Sequence, residues 1–315
     1  MESKKRILSA IMAVLMLLAL VPAAAFAGPT TEGYPESYEI YPVPQSVVYN
    51  DSGYDLDYVN FAVTKGVDAA TQGKMQAALK EAKVPYQAGG PYFPYAQNLS
   101  VGILGEDDAV PLGIPNRIGQ AFTNAAFADV TALDKEDGYV IGMAGNDVFI
   151  MGSSARGAYY GVTTFVKMLK EGAHLRNVLI NDYPDFPNRG TIEGYYGIPW
   201  SHETRKSIIE MSGEYKMNKF IYAPKDDPYH FGELWDQPYP AEEAAQMAEL
   251  ARLADENHVD FVYTLHIGTH MDFSDADDEI NLTLPIVSAS SQWEVGNKVQ
   301  RGTHIPEGQR EMDEY

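Results

Sequence analysis

The chain has 315 residues, 44 Asp and Glu against 23 Lys and Arg, a formal net charge of −21 and no cysteine. The acidic balance excludes a nucleic-acid binder, which needs Lys and Arg for the phosphates, and argues equally against an anionic membrane surface. The missing cysteines exclude disulfides, thiolate metal sites and a cysteine nucleophile. What remains is an acidic chain with room for roughly two domains at about 150 residues each, whose substrate or partner is neutral or cationic.

In chain order, the first segment has the layout of a secretory signal peptide. Lys4, Lys5 and Arg6 precede the apolar run Ile7 to Leu20, Pro22 breaks it, and Ala25-Phe26-Ala27 offers small residues around a cleavage point. The run falls short of the ~20 residues that span a bilayer comfortably. Cleavage after Ala27, an extracellular location and no membrane insertion afterwards are therefore expected. Residues 28–37, rich in Gly, Pro, Thr and Ser, read as a flexible leader.

Residues 38–182 read as one small α/β domain. Val67 to Val84 carries Ala69, Met75, Leu79 and Ala82 at amphipathic helix spacing. Leu99 to Leu104 reads as a strand, Asp137 to Ser154 as a hairpin turning at Gly145-Asn146, and Ala155 onward as a helix ending near Gly172. Asn181 to Gly190, with two prolines and several turn formers, reads as a domain boundary.

The pattern then changes. A strand at "GTIEGYYG" is followed by a helix capped near Ser201, a strand at "KFIYAPKDD", a long helix with Met247, Leu250, Ala251 and Ala254 on one face, and a strand at "DFVYTLHI". This alternation predicts βαβ units and a parallel sheet. Polar groups gather just after each strand, where the site of a (β/α) barrel lies; an open doubly wound sheet follows the same rule, so the pattern alone does not separate them. Residues 283–315 form a polar tail with no further helix–strand cycle.

Two blocks carry the most chemistry: "RGTIEGYYGIPWSHETR", Arg189 to Arg205, and "NKFIYAPKDDPYH", Asn218 to His230. They resemble the opening of the catalytic barrel in glycoside hydrolase family 84, the bacterial β-N-acetylglucosaminidases (once called hyaluronidases) and O-GlcNAcases. Residues 38–182, with "GAYYGVTTFVKML" as the best matching piece, resemble the α/β domain that precedes such barrels. The resemblance implies an α/β N-terminal domain followed by the first three or so βα units of a (β/α)8 TIM barrel, incomplete, over residues 183–282. It also implies hydrolysis of terminal β-linked N-acetylglucosamine by substrate-assisted, retaining catalysis. There the substrate's own acetamido oxygen attacks C1 to give an oxazoline, and no metal or cofactor is needed. The partners implied are GlcNAc-containing glycans or glycoproteins.

Residue by residue, the resemblance makes Gly194 the donor of a backbone carbonyl to a sugar hydroxyl and Lys225 a second substrate-binding residue. A glycine allows close ligand approach and serves a tight strand end equally well. An ammonium offers three hydrogen bonds to a polyol, or an ion pair to Asp226 or Asp227. Glu193 reads as a supporting hydrogen-bonding residue rather than the general acid. Tyr195, Tyr196 and Trp200 read as packing of the strand–helix turn, and His202 as structural. His266 and His270 stand four apart without a third ligand, which argues against metal.

The family's catalytic aspartate pair ends its fourth barrel strand. Two pairs here fall elsewhere. Asp226-Asp227 belongs to the second strand, and Asp277-Asp278, within "HMDFSDADDE", reads as the acidic start of a helix, where the dipole favours carboxylates. Ile267-Gly268 stands where the family usually has Pro-Gly, and the match ends near Asn281. No catalytic residue is assigned, and the chain is expected to be inactive alone. Two rival readings stay open: a non-catalytic glycan-binding protein, its 21 Tyr and 3 Trp supplying sugar contacts, and a fragment whose exposed, unclosed sheet folds poorly.

Overall fold

The computed structural model describes residues 33–264 apart from 91, 94–95, 116–130, 145–146, 195–197, 232–233 and 235–236. The expected signal peptide, the expected turn at Gly145-Asn146, Tyr195, Tyr196, the two histidines 266 and 270, the acidic stretch and the tail lie outside these residues. The chain divides into two compact units, one up to Pro187 and one from Asn188.

The first unit is a seven-stranded mixed sheet. Its strands are β1 (Ser46–Asp55), β2 (Val59–Val63), β3 (Tyr86–Ala88), β4 (Gln97–Ile103), β5 (Tyr139–Ala144), β6 (Asp147–Gly152) and β7 (His174–Asp182), in the order β1-β7-β5-β6-β4-β2-β3. The β2–β4, β4–β6 and β2–β3 pairs are parallel, and β1–β7, β7–β5 and β5–β6 are antiparallel. Helix α1 (Ala69–Glu81) is capped by Asp68, whose carboxylate accepts the Thr71 N–H at 2.8 Å. Helix α2 (Ala155–Lys170) is capped by Ser154, whose hydroxyl accepts the Gly157 N–H at 3.0 Å. Each cap satisfies one backbone donor that the first helical turn leaves open.

Both faces of the sheet are covered. Phe61, Leu99, Ile141 and Ile150 join Met75 and Leu79 of α1 and Tyr159 and Phe165 of α2 in one core cluster. Ala62, Val140, Phe149 and Met151 form a second cluster with Leu112, Ile114 and Ala132. Strand β6, "DVFIMG", is buried at every position, as expected of a central strand packed on both sides. Gly161 of α2 lets helix and sheet approach closely: a Cβ there would stand 2.5 Å from Ile150 Cγ2.

The α1 face differs from its predicted pattern. Met75 and Leu79 are buried, but Ala69 is exposed at the helix start, and Thr71 and Ala78 take the inward positions. A methyl at the open first turn finds nothing to pack against. Strands β2, β3 and β7 carry no signal that the sequence reading used. Tyr34 and Glu36 are tied to β7, with the Tyr34 ring stacked on His174 at 3.8 Å and the Glu36 carbonyl accepting from Arg176 Nη1 at 2.7 Å.

The second unit has three strands, β8 (Gly190–Glu193), β9 (Lys219–Tyr222) and β10 (Asp260–Tyr263), all parallel, in the order β10-β9-β8. Helices α3 (His202–Glu214) and α4 (Ala241–Glu256) connect them and pack on each other. Ser201 caps α3 through the Thr204 N–H, 3.2 Å. Ile209, Phe220, Tyr222, Leu250, Ala254 and Val259 form the core, with Trp200 and Met247 packed against it. Ala251 points outward, and Leu253 takes part in the packing instead. Among the described residues no helix is long and apolar enough to cross a membrane.

Burial raises the pKa of the Tyr139 hydroxyl well above the ordinary tyrosine value, helped by the nearby Asp182 carboxylate; burial does the same to Tyr54. A group with a raised folded-state pKa stabilises the fold below its unfolded pKa, about 10 for Tyr, and that stability is lost as pH rises. An absorbance titration should therefore leave these tyrosines protonated where exposed tyrosines have ionised, above about pH 10, while the sheet stays folded, and the urea midpoint should fall as pH climbs above about 10. Ionisation of every tyrosine near 10 with no change in the midpoint would contradict this burial.

Candidate functional site

The three parallel strands of the second unit end together. Glu193 pairs in register with Tyr222, and Tyr222 with Tyr263. Beyond these ends stand Gly194, the Ala223–Asp227 turn and Thr264, linked by an Ala223 N–H donating to the Glu193 carbonyl at 3.0 Å and a Thr264 N–H donating to the Tyr222 carbonyl at 3.2 Å.

Beneath these ends lies a buried polar chain. Glu193 is 1% exposed and Arg205 9%. Arg205 Nε donates to Glu193 Oε2 at 2.8 Å and Nη2 donates to Oε1 at 2.9 Å, the two-pronged geometry that makes guanidinium–carboxylate pairs strong and directional. Glu193 Oε1 also accepts the Trp200 N–H at 2.7 Å. Both carboxylate oxygens are thus spent on holding the strand-to-helix turn. This is the supporting role expected of Glu193.

Arg205 stands 4.8 Å from the centroid of the Tyr222 ring, within the range of a cation–π contact. Burial pulls its pKa down, but the hydrogen bonds it donates to Glu193 and the neighbouring acidic groups outweigh burial and hold it above the ordinary value. The Tyr222 hydroxyl donates to Asp227 Oδ2, as does Tyr239 at 2.8 Å, while Asp227 Oδ1 accepts the backbone N–H groups of Tyr229 at 2.9 Å and His230 at 3.3 Å. Burial first, and the bond to Asp227 second, push the Tyr222 hydroxyl well above the ordinary range. Burial and bonds to Tyr263 and Asp227 do the same for Tyr239. Both stay neutral donors at physiological pH.

Asp227, 7% exposed, therefore serves as the cap of the short Pro228–Phe231 turn and as a hub for two tyrosines. Lys225 is half-buried and Asp226 exposed on the same turn. Gly194 is half-buried just past Glu193; a Cβ there would meet Ile192 Cγ1 at 3.1 Å and Cδ1 at 3.2 Å, with Ala223 Cβ at 4.0 Å. These are tight contacts with an exposed side chain, and the backbone is not in the left-handed region. The fold by itself makes only a mild demand for glycine at 194.

His202 joins α3 to α4 through Glu249, 2.9 Å. Among the described residues no group of three or more His, Asp or Glu could hold a metal ion. The sequence reading missed Arg205, Tyr239, His230 and Thr264. For Arg205 a signal was available: it shares the helix stripe of Ile209 and Ser212, both buried, and an arginine on a buried stripe implies a buried acid.

Replacing Arg205 with Met would leave Glu193 buried without its counter-charge. The second unit should lose about 3–5 kcal/mol, read as a lower urea midpoint for the unit's own transition, and Arg205→Lys should recover only part because it lacks the planar fork. Wild-type stability in Arg205→Met would mean that the pair is not formed in solution.

Comparison with known proteins gives the same picture. The family model described as "beta-N-acetylglucosaminidase" matches residues 189–290, reaching past Asn281, where the motif resemblance ended. The model "Glycosyl hydrolase family 20, domain 2" matches residues 37–183. Protein O-GlcNAcase from Rattus norvegicus and from Mus musculus are each 38% identical over 85 residues, 27% of this chain and 9% of theirs. The solved structure of CpGH84D superposes with a TM-score of 0.67 at 31% identity, covering 78% of this chain and 40% of that one; CpGH84B gives 0.61 at 33%, covering 75% and 38%. The chain thus spans well under half the length of the relatives it matches. With one family match on each of the two units just described, the chain contains a glycoside hydrolase family 84-like region.

Proposed function

We propose that this chain is the leading part of a secreted glycoside hydrolase acting on terminal β-linked N-acetylglucosamine, with Gly194 and Lys225 contacting the sugar at the strand ends. One observation carries the reading. The two motif blocks fall on the C-terminal ends of neighbouring parallel strands, the end at which barrel enzymes build their sites. The sequential order β8-β9-β10, with α3 and α4 packed together, fits the first units of a (β/α)8 barrel.

Two further features support it. The mild demand of the fold for glycine at 194 leaves close approach of a ligand as a reason for that residue. Glu193 and Asp227 are committed to structural bonds, so neither is available as a general acid. The chemistry implied by the family, attack of the substrate's acetamido oxygen assisted by two neighbouring aspartates, then needs an acid pair beyond these strands. On this reading the chain by itself turns over no substrate.

The test is hydrolysis of a chromogenic aryl β-N-acetylglucosaminide by purified residues 28–315, beside an active family member. No release above buffer is expected. Clear release that disappears in Asp277→Asn or Asp278→Asn would overturn the assignment and make those residues the working pair.

A further inference from the structure

We propose that Asp227 and His230 form a clasp that positions Lys225 for ligand, making Asp227 a positioning residue for sugar recognition. The inference rests on the reading of Lys225 as a sugar contact and adds to it the device that holds the lysine in place.

The stretch containing Lys225 is pinned on both sides. Before it, the Pro224 carbonyl meets His230 Nδ1 at 3.2 Å. After it, the Asp227 carboxylate collects four donors: the backbone N–H groups of Tyr229 and His230 on one oxygen, and the hydroxyls of Tyr222 and Tyr239 on the other. His230 then fastens this loop to the next strand, its Nε2 lying 2.9 Å from the Thr264 carbonyl and 3.0 Å from the Thr264 hydroxyl. The ring stands edge-on to Tyr222 and Tyr263, at 5.5 Å and 5.0 Å. Asp227 and His230 are both buried, so these bonds form away from competing water.

A short turn after a strand needs fewer anchors than these to exist. Its anchoring has a specific consequence for lysine. The side chain carries roughly 2 kcal/mol of rotamer entropy, and a loose backbone would add its own disorder to that cost on binding. Fixing the backbone on both sides removes the second cost before ligand arrives, which is preorganisation. Asp227 is also joined through the Tyr222 ring to Arg205 and Glu193, so the lysine loop and the Gly194 strand end rest on one buried network.

The test is a double-mutant cycle in the full chain, with affinity for methyl β-N-acetylglucosaminide read by NMR titration. Lys225→Met should weaken binding about tenfold. Asp227→Asn, which keeps one acceptor for the turn N–H groups, should weaken it roughly three- to tenfold, and the double variant should be no weaker than Lys225→Met, because Asp227 acts through the lysine. Losses that multiply, or an Asp227→Asn variant that binds normally while Lys225→Met does not, would overturn the clasp and leave the sugar contact standing. Normal binding by Lys225→Met, or no binding by the unsubstituted chain, would instead sink the sugar contact. Backbone relaxation decides the clasp without ligand. The amide order parameters of Lys225 and Asp226 should fall from about 0.85 to below about 0.6 in Asp227→Asn, with β9 unchanged; unchanged values at 225 and 226 would overturn it.

Discussion

The buried pair of Glu193 and Arg205 is the interaction on which the second unit's strand ends depend. A carboxylate and a guanidinium removed from water cost several kcal/mol each unless their bonding capacity is filled. Here the two-pronged contact fills one side of that requirement. The Trp200 N–H and the Tyr222 ring fill much of the rest. The pair ties the end of β8 to Trp200, to the entry of α3 and to the seat of Tyr222. From Tyr222 the network passes to Asp227 and the lysine turn. Such a pair contributes little net stability against an apolar substitute; its value lies in geometry, because a planar fork accepts few alternative arrangements.

The two units place their polar chemistry differently. In the first, the hydrogen-bonded side chains stitch sheet to loop. Asp147 of β6 accepts from the Asn98 backbone N–H and side-chain amide, and the Asn98 amide also reaches the Phe93 and Ala96 carbonyls. Its central strands are packed on both faces, and buried Tyr139 serves as a large apolar filler whose hydroxyl is bonded to Thr164 and Asp182. In the second unit four buried polar groups, Glu193, Arg205, Asp227 and His230, gather at the carboxyl ends of three short strands, while Lys216 and Asn218 are buried just before β9. That concentration is what a site requires and what a plain structural sheet does not.

Much of this was legible in the sequence. The helix stripes of α1 and α4, the Ser201 cap, the β5–β6 hairpin and the βαβ alternation follow from periodicity and turn chemistry. The motif blocks located the strand ends, and the supporting role of Glu193 followed from them. Other features were not legible, for physical reasons. Strand β7 lies in a polar-tinged stretch whose burial comes from the core clusters on the two faces of the sheet, which hold Leu175, Val178 and Ile180 on one side and Leu179 on the other. The positions of Ala69 and Ala251 depend on which turns and which flank of each helix its neighbours cover, which periodicity cannot specify. Arg205, Tyr239, His230 and Thr264 come from four separate segments, and only the folded chain brings them around Tyr222 and Asp227. Adjacency makes Asp226-Asp227 visible in sequence as a pair of acids on the second strand; that Asp227 is a fully occupied structural acceptor is visible only in its partners.

The most direct test of the account is a backbone amide shift map of the chain with N-acetylglucosamine added. The account predicts that the perturbed residues cluster at Gly194, at Ala223 to Asp227 without Pro224, and at Thr264, with the first unit silent. Shifts confined to the first unit, or spread without a focus, would contradict the placing of the glycan at the strand ends held by Glu193 and Arg205.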